Sequence, residues 1–187
     1  MKPTELPDSF YEKAKPRLQR RIGRELRLAY RVLDFGCGGC GLAQFLRKTY
    51  RQRVTGVDIS DSNFPKGRAR SQKRSPLKCI KADAAHLAFV KDAAVDAVVS
   101  MWALHEMQDA QGALREAWRV LRPGGRILII DFPRGSLAQR LWNEKYYTIP
   151  KIDHMLIQAG FEDVRVKSVE RGQIAWATGF RPSADAD

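Results

Sequence analysis

The sequence predicts an α/β domain, a three-layer sandwich whose mostly parallel sheet ends in an antiparallel hairpin. Three observations carry this expectation. Short apolar runs alternate with amphipathic segments, the pattern of parallel strands joined by helical crossovers. The first run, Val32-Leu33-Asp34-Phe35, leads into the glycine-rich turn Gly36-Cys37-Gly38-Gly39-Cys40-Gly41. Near the end, Val164–Val169 and Ile174–Phe180 flank Arg171-Gly172 as two strands about one turn. A length of 187 residues suits one domain with a single core, and 44% hydrophobic content is ordinary for a globular chain.

In chain order, residues from about Ser9 to Ala29 read as a helix, with Ser9 as cap and Leu18, Ile22, Leu26 and Ala29 on one face. Pro16 is expected to bend or break it early. The strand ending at Asp34 follows, then a helix over Leu42 to Lys48 and a second strand, Arg53–Asp58. Ser60 to Pro76 is polar, basic and punctuated by Pro65 and Gly67, which predicts a short or irregular crossover. Cys79–Asp83 and Val95–Met101 read as the third and fourth strands. Leu114, Ala117, Trp118 and Leu121 form the apolar face of a helix from Gln111 to Leu121, stopped by Arg122-Pro123-Gly124-Gly125 before a fifth strand, Arg126–Asp131. Thr148 caps a helix running to Ala159. The expected division is an N-terminal helical lid over 1–29, the main domain over 30–182 and a flexible tail over 183–187.

The formal net charge of +12 is concentrated in two clusters. One comprises Lys13, Lys15, Arg17, Arg20, Arg21, Arg24, Arg27 and Arg31; the other Lys66, Arg68, Arg70, Lys73, Arg74, Lys78 and Lys81. Such clusters attract RNA, DNA, acidic lipid or a phosphorylated substrate, or serve only as a solvated surface. Neither interleaves aromatic residues in a nucleic-acid module. The N-terminus lacks an apolar signal core and no run approaches the ~18 apolar residues of a membrane span, so a cytoplasmic location is expected. Three cysteines, Cys37, Cys40 and Cys79, imply no closed disulfide framework. Cys37 and Cys40 have metal-like spacing, yet no second pair supplies the four ligands zinc favours, so small-residue packing is expected and no metal.

Glycines after a buried strand let backbone amides approach a ligand, so the turn reads as a nucleotide-cofactor loop. Gly36, Gly38 and Gly41 fit the dinucleotide fingerprint, with Asp58 near the distance of a ribose-binding carboxylate. On spacing alone a nicotinamide oxidoreductase stays open.

Four features together give a resemblance that covers roughly Tyr30 to Phe180: Val32-Leu-Asp34-x-Gly36-x-Gly38, acidic Asp58, Ala82-Asp83-Ala84, and Leu121-Arg-Pro-Gly-Gly-Arg-Ile-Leu128. The chain resembles a class I S-adenosylmethionine-dependent methyltransferase of the small-domain type. Asp34, two positions before the first glycine, typifies that family rather than dinucleotide dehydrogenases, and Cys40 stands where the family commonly has glycine. The resemblance implies a Rossmann-like sheet of seven strands and S-adenosylmethionine as cofactor. Gly36, Cys37 and Gly38 would face its methionine portion, with Asp34 buttressing the loop or reaching the ammonium through water. Asp58 would accept from the ribose diol, or simply cap a helix. Ile59 would cover the adenine, and Asp83 and Ala84 would bond its edge, unless Asp83 is only a turn acid. Met101 would lie at the floor near the sulfonium.

His105 titrates near neutrality and is the candidate general base, the alternative being a histidine that only shapes the loop. Glu106 would orient it or face water. Met101-Trp102-Ala103-Leu104 is not the Asn/Asp-Pro-Pro-Tyr/Phe signature of exocyclic-amine methyltransferases, and no Pro-Cys nucleophile of the cytosine type is present. A small-molecule acceptor is therefore expected, with Trp102, Trp142, Tyr146 and Tyr147 as walls and Tyr11 as a lid residue. An RNA-directed enzyme and a non-catalytic cofactor-binding module are the alternatives.

Overall fold

The computed structural model describes residues 6–65 and 77–183. Thirteen elements follow the predicted alternation: α1 (Phe10–Glu25), β1 (Arg31–Phe35), α2 (Gly41–Tyr50), β2 (Arg53–Asp58), β3 (Leu77–Lys81), β4 (Val95–Met101), a 3-10 turn (Leu104–Glu106), α3 (Ala110–Val120), β5 (Leu121–Asp131), α4 (Leu137–Trp142), α5 (Ile149–Gln158), β6 (Glu162–Val169) and β7 (Ile174–Phe180). They form one seven-stranded sheet of order β3-β2-β1-β4-β5-β7-β6. The first five strands are parallel, and β7 enters antiparallel between β5 and β6.

Alternation along each central strand sorts the core into two layers. Val32, Val54, Ala97, Val99, Leu128 and Ile130 point to the face covered by α1 and α2. Their neighbours Leu33, Val57, Val98, Ile127 and Ile129 point to the opposite face, against α3 and α5. This is the three-layer arrangement the sequence predicts.

Helix α1 begins where predicted, with Ser9 at its N-cap position, but ends early. Ser9 makes no side-chain capping bond, and the helix stops at Glu25 rather than Ala29. Beyond it, the buried Gln52 amide donates to the Leu26 carbonyl and, at 2.9 Å, to that of Ala29, so a side chain from the β2 approach satisfies the C-cap carbonyl and one in the turn that follows. Pro16 lies inside the helix without ending it. Phe10, Ala14, Leu18 and Ile22 recur every four residues and are all buried, which holds the turns on both sides of a proline that costs about 3 kcal/mol in isolation.

Strand β3 begins two residues before the predicted run and releases Ala82 and Asp83 into a turn, where Asp83 Oδ1 accepts from the Ala85 amide at 2.9 Å. Strand β5 absorbs the Arg122–Gly125 segment, which sequence reading treated as a helix stop. Thr148 does cap α5, accepting from Lys151 N at 3.3 Å. The short α4 and the 3-10 turn fall where no element was predicted.

Where the cysteine count implied no closed disulfide framework, one bridge is present. Cys40 and Cys79 form a disulfide, and Cys37 stays free and buried. Parallel pairing of β2 and β3 sets Cys79 beside Gly56, and the glycine's missing side chain leaves the space that Cys37 and Cys40 enter from above. Of the second basic cluster, Lys66, Arg68, Arg70, Lys73 and Arg74 lie outside the described residues, as does most of the expected tail. No helix among the described residues is long and apolar enough to cross a membrane.

Replacing Gln52 by leucine leaves two carbonyls at the α1 terminus without their buried donor. Urea denaturation should show a loss of about 1–3 kcal/mol, more than an ordinary surface change produces.

Candidate functional site

Open α/β sheets bind ligands beyond the carboxyl ends of their strands, where the chain leaves one crossover for another. Here that edge carries a cleft of about 490 Å³, lined among others by Gly36, Gly38, Asp58, Ile59, Asp83, Ala84, Trp102, Ala103, Glu106 and Met107. Seven of the residues predicted from sequence thus share one wall system: Gly36, Gly38, Asp58, Ile59, Asp83, Ala84 and Trp102.

The loop after β1 is held tightly. Gly36 and Cys37 both donate to the Val57 carbonyl, at 2.9 and 3.0 Å. Gly36 and Gly38 take positive φ, 65° and 48°, and nothing stands within 4 Å of a side chain placed on Gly38. At Gly38 glycine keeps the conformation accessible and its surroundings open. Asp58 accepts from the Gly38 amide at 2.8 Å through Oδ2 and from Ser60 N at 3.0 Å through Oδ1. Each oxygen retains a further lone pair for a ligand hydroxyl. Asp83 serves a turn, and its Oδ2 lies 3.4 Å from His86 Nδ1.

Asp34 is 2% exposed, and its Oδ2 has no hydrogen-bond partner among the described residues. Burial, reinforced by the nearby charge of Asp58, pushes its pKa up to about 8 against a partial offset from the Ala43 amide. Burial and the same two carboxylates push the Cys37 thiol up to about 12, so Cys37 stays a protonated packing residue at neutral pH. Met101 ends β4, outside the residues that line the cleft.

Beyond Trp102 lies a second constellation. The His105 side chain is 2% exposed, with Nδ1 2.7 Å from Asp131 Oδ1 and Nε2 3.1 Å from Glu144 Oε2 and 3.8 Å from Glu106 Oε1. The His105 amide also donates to Asp131 Oδ2 at 2.9 Å. Burial alone lowers the imidazole pKa, but the Asp131 hydrogen bond and charge, with Glu106 and Glu144, hold it above the usual histidine value. Glu106 rises in turn, through burial and through Glu144, Asp131 and Asp58, against the lowering charge of His105. Tyr146 donates to Glu144 at 3.0 Å.

The predicted aromatic walls meet at a residue that sequence reading missed. Phe132 has Tyr11, Trp142, Trp102 and Tyr146 at ring-centroid distances of 4.7, 5.2, 5.3 and 5.8 Å. Tyr11 and Tyr146 are buried in this cluster, Trp142 is half exposed, and only Trp102 reaches the cleft. Tyr147 packs against the other core layer, with α3 and α5, apart from the Phe132 rings. Asp131 and Glu144 were also missed. Asp131 carried a usable signal, an acid closing an apolar strand at the same edge as Asp34 and Asp58; Glu144 carried none.

The sequence pattern of the methyltransferase domain family matches residues 33–129. Ubiquinone/menaquinone biosynthesis C-methyltransferase UbiE of Bartonella tribocorum is 34% identical over 142 residues, 70% of this chain and 53% of that protein. The 27-O-demethylrifamycin SV methyltransferase of Amycolatopsis mediterranei is 36% identical over 126 residues, 65% of this chain and 46% of that one. The chain spans about half the length of the curated relatives it matches. Among solved structures, the cyclase SpnF superposes with a TM-score of 0.77 at 22% identity, covering 92% of this chain and 83% of that one, which speaks for the fold. The chain belongs to the methyltransferase domain family, of the class I S-adenosylmethionine-dependent type, and S-adenosylmethionine is its cofactor.

The residues present fit that group. The unpartnered Asp34 oxygen behind the loop suits an ammonium, directly or through water, and the open face of Gly38 admits a close ligand.

A carboxyl group whose pKa is raised by folding binds its proton more tightly in the native than in the unfolded state. Native stability is then greatest below the unfolded value of 3.8 and falls as pH rises towards about 8. Asp34→Asn should remove that slope. Its melting temperature should exceed that of the parent at pH 8 and differ least at pH 4, while calorimetry reads weaker cofactor binding.

Proposed function

We propose that this chain transfers a methyl group from S-adenosylmethionine to a nucleophile on a small-molecule acceptor. The observation that carries this reading is the shared boundary between the two constellations: Glu106 and Trp102 line the cofactor cleft, and each also belongs to the His105 and Phe132 groups behind it. When bound, the cofactor supplies a methyl carbon already activated on a sulfonium, so the acceptor's lone pair forms the new bond while sulfur keeps the electrons of the old one.

Gly36, Cys37 and Gly38 would cradle the methionine portion, and Asp34 would neutralise its ammonium. Asp58 would accept from the ribose, with Ile59, Asp83 and Ala84 around the base and Met101 beneath. The acceptor would lie against Trp102, with Trp142, Tyr146 and Tyr11 forming the wall behind and the described part of the N-terminal segment, residues 6–29, closing above. His105 would take a proton from the acceptor through Nε2 once Glu144, at 3.1 Å, releases that nitrogen, since Asp131 holds Nδ1 more closely at 2.7 Å. Alignment and exclusion of water supply much of the acceleration in such a reaction, so a sparse set of acid–base groups suffices.

A small acceptor is favoured over RNA because part of the basic α1 surface is already engaged. Arg17 pairs with Glu170 at 2.8 Å, and the Arg21 guanidinium lies 3.9 Å over the Trp176 ring. Incubation with methyl-labelled cofactor and a metabolite extract should label a small product. Label confined to RNA or protein would overturn the acceptor class, and cofactor binding without any labelled product would favour a non-catalytic module.

Asp58→Ala should weaken cofactor binding by about 1–3 kcal/mol in a calorimetric titration. An unchanged affinity removes Asp58 from the site.

With an acceptor in hand, His105→Ala should lower kcat far more than it changes cofactor affinity. The parent's rate should rise with pH through a value above 6.5, as the imidazolium gives up its proton, and that rise should be missing in the variant.

A further inference from the structure

We infer that the acceptor is an amine carried on an aromatic or otherwise apolar body. The inference rests on the methyl-transfer reading for the fate of the amine, and on the site alone for its recognition.

Three carboxylates converge on one imidazole: Asp131 at 2.7 Å, Glu144 at 3.1 Å and Glu106 at 3.8 Å. The imidazole itself brings at most one positive charge to three negative ones, in a chain whose net charge is +12. Such a site favours a cationic guest and repels a carboxylate.

The surrounding walls add a second, independent preference. Tyr146 and Phe132 pack on the His105 ring at 4.6 and 5.7 Å, and Trp102 stacks on Phe132 at 5.3 Å. Aromatic faces carry negative quadrupole charge and attract ammonium groups. The chain already uses this property, since the Lys15 ammonium sits 5.7 Å over the Trp102 ring. A lysine on a flexible stem can yield that face to a guest.

Glu106 is the residue that joins the two halves, because it lines the cofactor cleft and also approaches His105 Nε2. An ammonium received by Glu106 and Glu144 lies beside the group able to deprotonate it. One proton leaves the nitrogen for Nε2, the nitrogen keeps the electron pair, and that pair becomes available for alkylation. Glu144, half exposed, then takes the proton from Nε2 to water.

The test uses the full chain saturated with S-adenosylhomocysteine and three probes of matched shape: phenethylamine, 2-phenylethanol and 3-phenylpropanoate. Calorimetry should show the amine binding about tenfold or more tightly than either other probe. Glu144→Gln should remove most of that preference and leave S-adenosylhomocysteine affinity unchanged. Equal or tighter binding of the alcohol or the carboxylate overturns the inference, and so does binding of none of the three. A bound amine that gains no labelled methyl group supports the amine site and counts against methyl transfer itself.

Discussion

Strand-end carboxylates that accept backbone amides from the neighbouring segment are the constraint on which this molecule is organised. Asp58, closing β2, fastens the loop after β1 through Gly38. Asp131, closing β5, fastens the turn after β4 through His105. At the opposite edge Asp96 does the same for β1, accepting from Tyr30 at 2.9 Å and Arg31 at 2.7 Å. A parallel strand leaves its terminal amides without a ladder partner, and a short acidic side chain in the adjacent strand reaches them. The two halves of the functional edge are therefore set by the sheet's register rather than by loop packing.

The same device explains what could be read from the chain. β1, β2 and β4 are legible because buried parallel strands are near-continuous apolar runs, and Asp34 and Asp58 stand at their ends as abrupt acids. Both core layers follow from alternation. Less was legible where the deciding partner is distant in sequence. The end of α1 depends on the Gln52 amide, and the Cys40–Cys79 disulfide depends on β3 lying beside β2 over a glycine. Phe132 gathers four rings from three separate stretches of chain, which no periodicity announces. Pro16 fails to break α1 for the opposite reason, since a local penalty is outweighed by a buried stripe on either side.

The site combines an expensive interior with a charged doorway. Asp34 is held buried and short of partners, its carboxyl pushed up to about 8 in the empty site, and an ammonium beside it would draw it back to the charged form. A group that destabilises the empty protein yet matches a ligand charge is a common arrangement in functional sites, where local stability is given up for complementarity. His105 is the reverse case, with every ring nitrogen engaged and its orientation fixed from both sides. One side of the boundary waits for a partner; the other is already assembled.

Strand β6 ends the sheet, and its exposed or half-exposed Glu162, Asp163, Arg165 and Lys167 place charges of both signs along that border. Another polypeptide adding there would have to strip water from these groups in mismatched order. The final strand therefore protects the domain from edge-to-edge aggregation, a safeguard that matters for a sheet otherwise buried on both faces.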